Sequence, residues 1–558
     1  MKLSGAEIII KLLERQGIKT IAGIPGGANL PMYDALGRSD AIRHILTRHE
    51  QGAGFIAQGM ARVSGKPAVF FATSGPGATN TLTAIADAKL DSIPIICITG
   101  QVPLSMIGTD AFQEVDTYGL SVPITKHNFL VRSVEELLEV IPAAFRIASS
   151  GRPGPVVIDV PKDVQAAQLE FDVWPDPGQP VPTPELFPGE IEHAAGMINK
   201  AEKPILYLGG GVIQSDSAPQ ALAMAEKGGI PSVVTLMGLG IMPTDHPLSL
   251  GMLGMHAARY TNMALEECDL LIAVGVRFDD RATGKVPDFC PKAKVIHMDI
   301  DPSELDKIKT AHASVTGDVG EVLKALIPLI KERKRSVWNE DIRQLKEANP
   351  MVIPQAEDPM SPYGVILKTA ELVGESAVIC TDVGQHQMRT AQVYPFKYPR
   401  QWLTSGGLGT MGFGMPAAIG AALAAPDKPV VCFSGDGSIM MNIQDLATAM
   451  EYDIPIKIIL TNNNALGLVR QQQDLFYGKR YTASDYSKSV DFIKIAEGFG
   501  IGAYDLGTSN DPARTLAEAL AAPGPCLIHV PISPDEPVYP MVPPGAANSE
   551  MIGGENHV

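Results

Sequence analysis

Asp436 and Asn463 are the residues whose types and setting point most directly to chemistry. Asp436 lies in the turn Gly435-Asp436-Gly437 that closes the apolar run VVCFS, and Asn463 ends the next run, IPIKIILTNN (454–463). If the two runs are neighbouring strands of a parallel sheet, both residues stand at its C-terminal edge, where ligands bind. A carboxylate and an amide carbonyl there are hard oxygen ligands suited to Mg²⁺, which completes its shell with phosphate oxygens and water. Gly435 and Gly437 let backbone N–H groups close on a diphosphate at the start of a helix. An Asp-Gly turn beside an Asn-rich turn is the plainer alternative.

Glu50, in TRHEQGAGFIAQGMAR (47–62), is the second candidate. Ala53, Ile56, Ala57 and Met60 recur at helical spacing, so Glu50 opens a helix with a packed face. Taken alone it reads as a first-turn acid facing the helix dipole.

The elements that must position these residues are repeated. KPAVFFATSGPG (66–77) and KPVVCFSGDG (428–437) are each Lys-Pro, a short apolar strand and a Ser-Gly-x-Gly turn. Each leads into an Ala-containing helix and then a second buried strand, IPIICITG (93–100) or IPIKIILTNN, at a matching offset along the chain. Strand, glycine turn, helix and strand make a βαβ crossover, which requires parallel sheets. A third α/β block lies between the copies, with KPILYLGGGVI (203–213), PSVVTLMGLG (231–240), DLLIAVGVRFDD (269–280) and KVIHMDIDP (294–302). The expected fold class is therefore α/β, with three doubly wound parallel-sheet domains, the first and third related by internal duplication. Pro-rich 171–190 and charged 332–362 separate the blocks, giving domains at 1–170, 190–335 and 360–540. The tail 541–558 has no periodic pattern and is expected to be mobile unless something pins it.

A chain of 558 residues fits roughly three domains. Its net charge of −17 argues against nucleic acid or an anionic membrane as partner. No apolar run is long enough to cross a bilayer, and the N-terminal helix carries acids and bases unlike a signal peptide. Six dispersed cysteines read as reduced core thiols. The expected compartment is the cytoplasm.

GDGSIMMN…TNNN resembles the thiamin diphosphate motif. The match extends through GIPGGANLPMYDAL (23–36), SGPGATN (74–80), GTDAFQE (108–114), GRPGPVVIDVPKDV (151–164), GVRFDDRATGK (275–285), DVGQHQM (382–388) and TSGGLGTMGFGMPAAIG (404–420). Together these resemble the large, catalytic subunit of acetolactate synthase. The resemblance implies that the first block binds the cofactor's pyrimidine and the third its diphosphate. Glu50 then contacts the aminopyrimidine nitrogen, sharing the proton whose movement activates the thiazolium carbon, a role suited to a desolvated carboxyl. Asp436, Asn463 and the Ala465 carbonyl would hold Mg²⁺, and Gln385 and His386, with Gly435 and Gly437, the diphosphate. Met411, which by periodicity alone is plain core, would bend the cofactor, and the Gly409 carbonyl would fix its amino group.

The same resemblance implies FAD, structural and non-redox, on the middle block at Arg152, Met255, His256, Arg277, Asp279, Arg281, Asp299 and Asp318. From the residues alone Asp299 and Asp318 also read as surface turns, and GGG (209–211) is weak evidence for a nucleotide. Gly27, Phe112, Gln113 and Lys162 match positions near the reacting centre, and Arg277 suits an acceptor carboxylate. The implied reaction decarboxylates pyruvate and joins its hydroxyethyl unit to a second pyruvate or to 2-ketobutyrate, opening branched-chain amino acid biosynthesis. Pyruvate oxidase and glyoxylate carboligase are the alternatives. A homodimer or homotetramer with a small regulatory subunit is implied as well. One departure stands out: Gln472 replaces the tryptophan of the family's RQWQ, which lines the acceptor pocket, so acceptor choice is in question.

Overall fold

Strands buried on both faces read as unbroken apolar runs, and Ile95–Gln101 and Ile456–Asn462 are buried along their whole length. In the computed structural model, which describes residues 1–553, such strands build three six-stranded sheets. A short antiparallel pair, β1 (Lys2–Ser4) with β8 (Gln168–Glu170), ties the two ends of the first domain together.

The first sheet contains β2 (Thr20–Gly23), β3 (Arg43–Leu46), β4 (Ala68–Ala72), β5 (Ile95–Gln101), β6 (His127–Leu130) and β7 (Val156–Pro161). The middle sheet contains β9 (Pro204–Leu208), β10 (Ser232–Val234), β11 (Ser249–Met252), β12 (Leu270–Val274), β13 (Lys294–Asp299) and β14 (Ala313–Thr316). The third contains β15 (Val378–Thr381), β16 (Trp402–Leu403), β17 (Val430–Gly435), β18 (Ile456–Asn462), β19 (Gly502–Asp505) and β20 (Cys526–Pro531). All neighbours within the three sheets pair in parallel.

The first sheet runs β3-β2-β4-β5-β7-β6 and the third β16-β15-β17-β18-β20-β19, the same order strand for strand. The repeat legible at β4/β5 and β17/β18 thus extends through both domains. The middle sheet runs β11-β10-β9-β12-β13-β14. That is the dinucleotide-binding order, with its switch point between β9 and β12.

The duplicated domains share one core. Helices Glu50–Ser64 and Gly414–Ala424 pack face to face, and Ile56, Phe70, Ile419 and Ile458 belong to a single buried cluster. The stretch 332–362 does more than separate domains. It contains a helix, Ser336–Ala348, whose Trp338 and Ile342 are buried in the middle domain's core, with Trp338 Nε1 donating to the Pro204 carbonyl at 3.0 Å. Only two side chains of that helix are buried, so its apolar pattern is faint in the sequence.

The tail is pinned through Gly553. Met541, Val542, Ala547 and Met551 are buried, and Met541 bridges Ile552 in antiparallel fashion. The Val542 N–H donates to the Met255 carbonyl at 2.8 Å and Asn548 Nδ2 to the Ala282 carbonyl at 2.9 Å. These anchors have no regular spacing, which hid them from periodicity. Residues 554–558 of the expected tail lie outside the described residues. All six cysteines are buried and unbridged. Among the described residues no helix is long and apolar enough to cross a membrane.

Candidate active site

At the C-terminal edge of the third sheet, Gly435 pairs with Thr461, so the turns after β17 and β18 are adjacent. Asp436 is buried, and its Oδ2 has no hydrogen-bond partner. Burial pushes this carboxyl up to about 6, against the pull of nearby backbone N–H groups that include those of Asn464 and Ala465. Asn463 and Ala465 are buried beside it, with Asn463 Oδ1 accepting from the Ala465 N–H at 3.1 Å. An orphaned carboxylate oxygen next to an amide and a turn carbonyl is a donor set for a hard divalent cation.

The helix Gln385–Val393 brings two further residues here. His386 is buried, and burial holds its imidazole down to about 3, so the ring is neutral; its Nε2 has no partner. A Cβ on Gly435 would lie 3.0 Å from His386 Nδ1. Gln385 Nε2 donates to Gln471 Oε1 at 3.0 Å, and Gln385 Oε1 accepts from Asn463 Nδ2 at 3.4 Å. Met411 reaches the same turn, its Cε 3.6 Å from where a Gly437 Cβ would stand. Gly409 has φ +70° and open space where a Cβ would go. The structure therefore gathers Gln385, His386, Met411, Gly435, Asp436, Gly437, Asn463 and Ala465 around one sheet edge.

The first domain repeats the arrangement. Gly27, Gly77, Phe112 and Lys162 follow the C-terminal ends of β2, β4, β5 and β7. His49 caps the Glu50 helix, its Nδ1 accepting from the Gln51 N–H at 3.2 Å, and Gly65 at φ +69° ends it. Glu50 Oε2 accepts from Asn80 Nδ2 at 2.9 Å, and its Oε1 is 3.3 Å from where a Gly77 Cβ would stand. Gly27 faces open space, Lys162 is exposed, and Phe112 is 87% exposed. Gln113, at φ +60°, places its carbonyl 2.9 Å from a would-be Cβ on Gly75. Among the described residues no hydrogen bond or ion pair joins Glu50 to Asp436, Asn463 or His386.

A cavity of about 850 Å³ opens at the switch point of the middle sheet, walled by all three domains. Arg152, Met255, His256, Arg277, Asp279, Arg281, Asp299 and Asp318 all line it, and Gly409 and Gln472 reach it from the third domain. Arg152 donates to Ser92 at 2.9 Å and to Glu304 at 2.7 Å, tying first domain to middle. Burial lowers His256 to about 4 and raises Asp299 to about 6. Asp279 and Asp318 also cap helices, each accepting two backbone N–H bonds. The glycine run serves packing: a Cβ on Gly209 would lie 2.2 Å from the Gly275 carbonyl oxygen, so the glycines let the ends of β9 and β12 meet.

Sequence reasoning missed Gln471, Thr235 and Glu304. Gln471 is buried and accepts from both Gln385 and the Val538 N–H. Thr235 lines the cavity with an unpartnered buried hydroxyl. None of the three carries a motif; the available signal was the glycine run 209–211, beside which Thr235 sits through its N–H bond to the Leu208 carbonyl.

Comparison with known proteins agrees with the three-domain architecture. Residues 3–120 match the family model for the thiamine pyrophosphate enzyme N-terminal TPP binding domain, 191–326 the central domain, and 382–530 the C-terminal TPP binding domain. The acetolactate synthase isozyme 1 large subunit of Escherichia coli K12 is 60% identical over 552 residues, 99% of this chain and 98% of that one. The isozyme 2 large subunit of the same organism is 46% identical, covering 99% of each chain. The acetolactate synthase large subunit of Corynebacterium glutamicum is also 46% identical, over 99% of this chain and 90% of its own. Three thiamine pyrophosphate domains in order, and relatives this similar along the full length, make the chain a member of the acetolactate synthase large-subunit family of thiamine pyrophosphate enzymes.

Proposed function

We propose that the chain is the catalytic subunit of a cytoplasmic acetolactate synthase that makes 2-acetolactate from two pyruvates and 2-aceto-2-hydroxybutyrate from pyruvate and 2-ketobutyrate. In each case the bond to one pyruvate's carboxylate breaks, carbon dioxide leaves, and one carbon–carbon bond forms. Thiamin diphosphate, when bound, supplies the electron sink for that exchange. The observation that carries the reading is the pairing of Asp436, with its orphaned oxygen, and neutral His386 at one sheet edge.

Asp436, Asn463 and the Ala465 carbonyl would hold Mg²⁺, while Gln385, His386 and the N–H groups near Gly435 and Gly437 take the diphosphate. Met411 would bend the cofactor, and the Gly409 carbonyl would fix its amino group. Glu50 holds a proton at the pyrimidine nitrogen from the edge of a first domain. Sites of this family form between subunits, so we assign each complete site to two copies, as a homodimer or a tetramer of such pairs. Gly27, Phe112, Gln113 and Lys162, at the same edge as Glu50, would stand near the reacting centre.

The 850 Å³ cavity fits FAD: it lies at a dinucleotide switch point, with fixed cations at Arg152 and Arg277 and the free Thr235 hydroxyl. Since the reaction transfers no net electrons, the flavin is structural. Gln472 and Arg277, on its rim, face the acceptor. The relatives' designation as large subunits supports a small regulatory partner.

The test is pyruvate turnover with thiamin diphosphate, Mg²⁺ and FAD in air and under argon. Equal acetolactate yields in both are expected; oxygen consumption would identify a pyruvate oxidase instead.

A further inference from the structure

The loop 405–412 carries Gly409 and Met411, yet its shape is imposed from outside. Gly406, Gly407, Gly409 and Gly412 give it little conformational preference of its own. Asp87, on the first-domain helix Leu82–Leu90, is fully buried, and its Oδ1 accepts from the hydroxyls of both Ser405 and Thr410, the latter at 2.9 Å. Ser405 Oγ in turn accepts from the Thr410 N–H at 2.8 Å. Asp91, one turn on, accepts from the Gly407 N–H at 2.7 Å and the Gly406 N–H at 3.1 Å. Arg62, itself buried, donates to Asp91 at 2.8 Å and lies 3.5 Å from Asp87. At the far end Asp382 accepts from the Gly412 N–H at 2.7 Å.

Burying two carboxylates against one guanidinium is costly, and apolar packing of equal volume is often as stable. What the carboxylates supply and apolar groups would not is a fixed set of acceptors for a glycine-rich backbone.

We propose that Asp87, seconded by Asp91, is a positioning residue for the thiamin diphosphate site. It sets, from the first domain, the third-domain loop that presents the Gly409 carbonyl and the Met411 side chain. The inference rests on the reading that this loop faces the cofactor. A first domain then serves two sites: a second copy's through Glu50 and its own chain's through Asp87.

The test is calorimetric titration of the Mg²⁺ complexes of thiamin diphosphate and, separately, inorganic pyrophosphate into FAD-loaded enzyme. Thr410→Val removes one hydroxyl from Asp87 and keeps the shape; Asp87→Asn is the direct variant, and Thr410→Ser restores the donor. Loss of a hydrogen bond to a charged acceptor predicts that Thr410→Val raises the Kd for thiamin diphosphate about tenfold. Pyrophosphate, whose assigned partners Gln385, His386, Gly435 and Gly437 lie outside the loop, should bind as to wild type, and Thr410→Ser should recover the original Kd. Unchanged thiamin diphosphate binding, or equal losses for both ligands, overturns the positioning role. Asp436→Ala separates the two claims. If it weakens both ligands while Thr410→Val weakens neither, this inference alone falls; if it too weakens neither, the site assignment falls with it.

Discussion

Gly59 and Gly420 occupy equivalent places across the contact between the two duplicated domains. A Cβ on Gly59 would lie 2.1 Å from the Ala417 carbonyl oxygen, and one on Gly420 2.0 Å from the Ile56 carbonyl oxygen. Each helix thus presses its backbone into the other at a residue without a side chain. Gly59→Ala or Gly420→Ala must push the helices apart, and overpacking of this kind costs about 1–3 kcal/mol. A lower urea midpoint for either variant is expected. An unchanged midpoint would mean the helices separate at no cost.

Glu50→Gln should leave the fold and thiamin diphosphate binding largely intact, since the amide can still meet Asn80. Exchange of the bound cofactor's thiazolium proton, followed by NMR, should slow by orders of magnitude because the carboxyl no longer shares a proton at the pyrimidine. Exchange at the wild-type rate would remove Glu50 from this role.

Asp436→Ala should raise the concentrations of Mg²⁺ and thiamin diphosphate needed for half-maximal activity, because the cation loses its only carboxylate. The check is a cofactor titration of both proteins. Matching curves would reduce Gly435-Asp436-Gly437 to a turn.

Gln472 is exposed on the cavity rim, where it offers little apolar surface to an ethyl group. Pyruvate and 2-ketobutyrate should therefore compete nearly equally as acceptor. Gln472→Trp should shift product toward 2-aceto-2-hydroxybutyrate by roughly 10-fold or more, the value of a methylene in a good pocket. Product ratios from equal mixtures decide it, and a ratio unmoved by tryptophan places the acceptor pocket elsewhere.

Asp159, on β7, accepts from Thr99 Oγ1 at 2.6 Å and Gln101 Nε2 at 2.9 Å. Burial nonetheless pushes its carboxyl up to about 7. Its unfolded value is about 3.9, so between these limits the fold keeps a proton that the unfolded chain has lost. The resulting stabilisation is complete at the acid end and is lost as pH rises through 7. Asp159→Asn lacks this titration, so the melting temperature of wild type should fall relative to the variant's between pH 5.5 and 8. Parallel curves would show that Asp159 does not titrate there.

Features fixed by local pattern were legible in the sequence. Asp436 and Asn463 each end a buried apolar strand, Glu50 opens a periodic helix, and the repeated Lys-Pro units announced the duplicated sheets. Residues that act through contacts distant along the chain were not. Asp87 looks like any helix acid until Ser405 and Thr410 fold onto it, and Gln471 is one glutamine of three until Gln385 and Val538 meet it. The buried Trp338 was masked by the charges around it, and the pinned tail by its irregular anchors.

The middle domain is joined to the third by the chain that follows helix Ser336–Ala348 and again by the returning segment 539–553, besides ion pairs such as Lys397–Asp245 and Arg400–Asp216. Besides the Val542 and Asn548 bonds, His256 Nδ1 meets the Pro540 carbonyl at 3.1 Å, and Gln392 Nε2 bridges the His256 and Tyr539 carbonyls. A body on one tether keeps an axis to swing about; a second tether takes that axis away. Domain closure needs such a hinge, so the 850 Å³ cavity is framed rather than jawed. The exposed side chains that line it, Arg281 and Gln472 among them, are then the parts of the cavity left able to vary its opening.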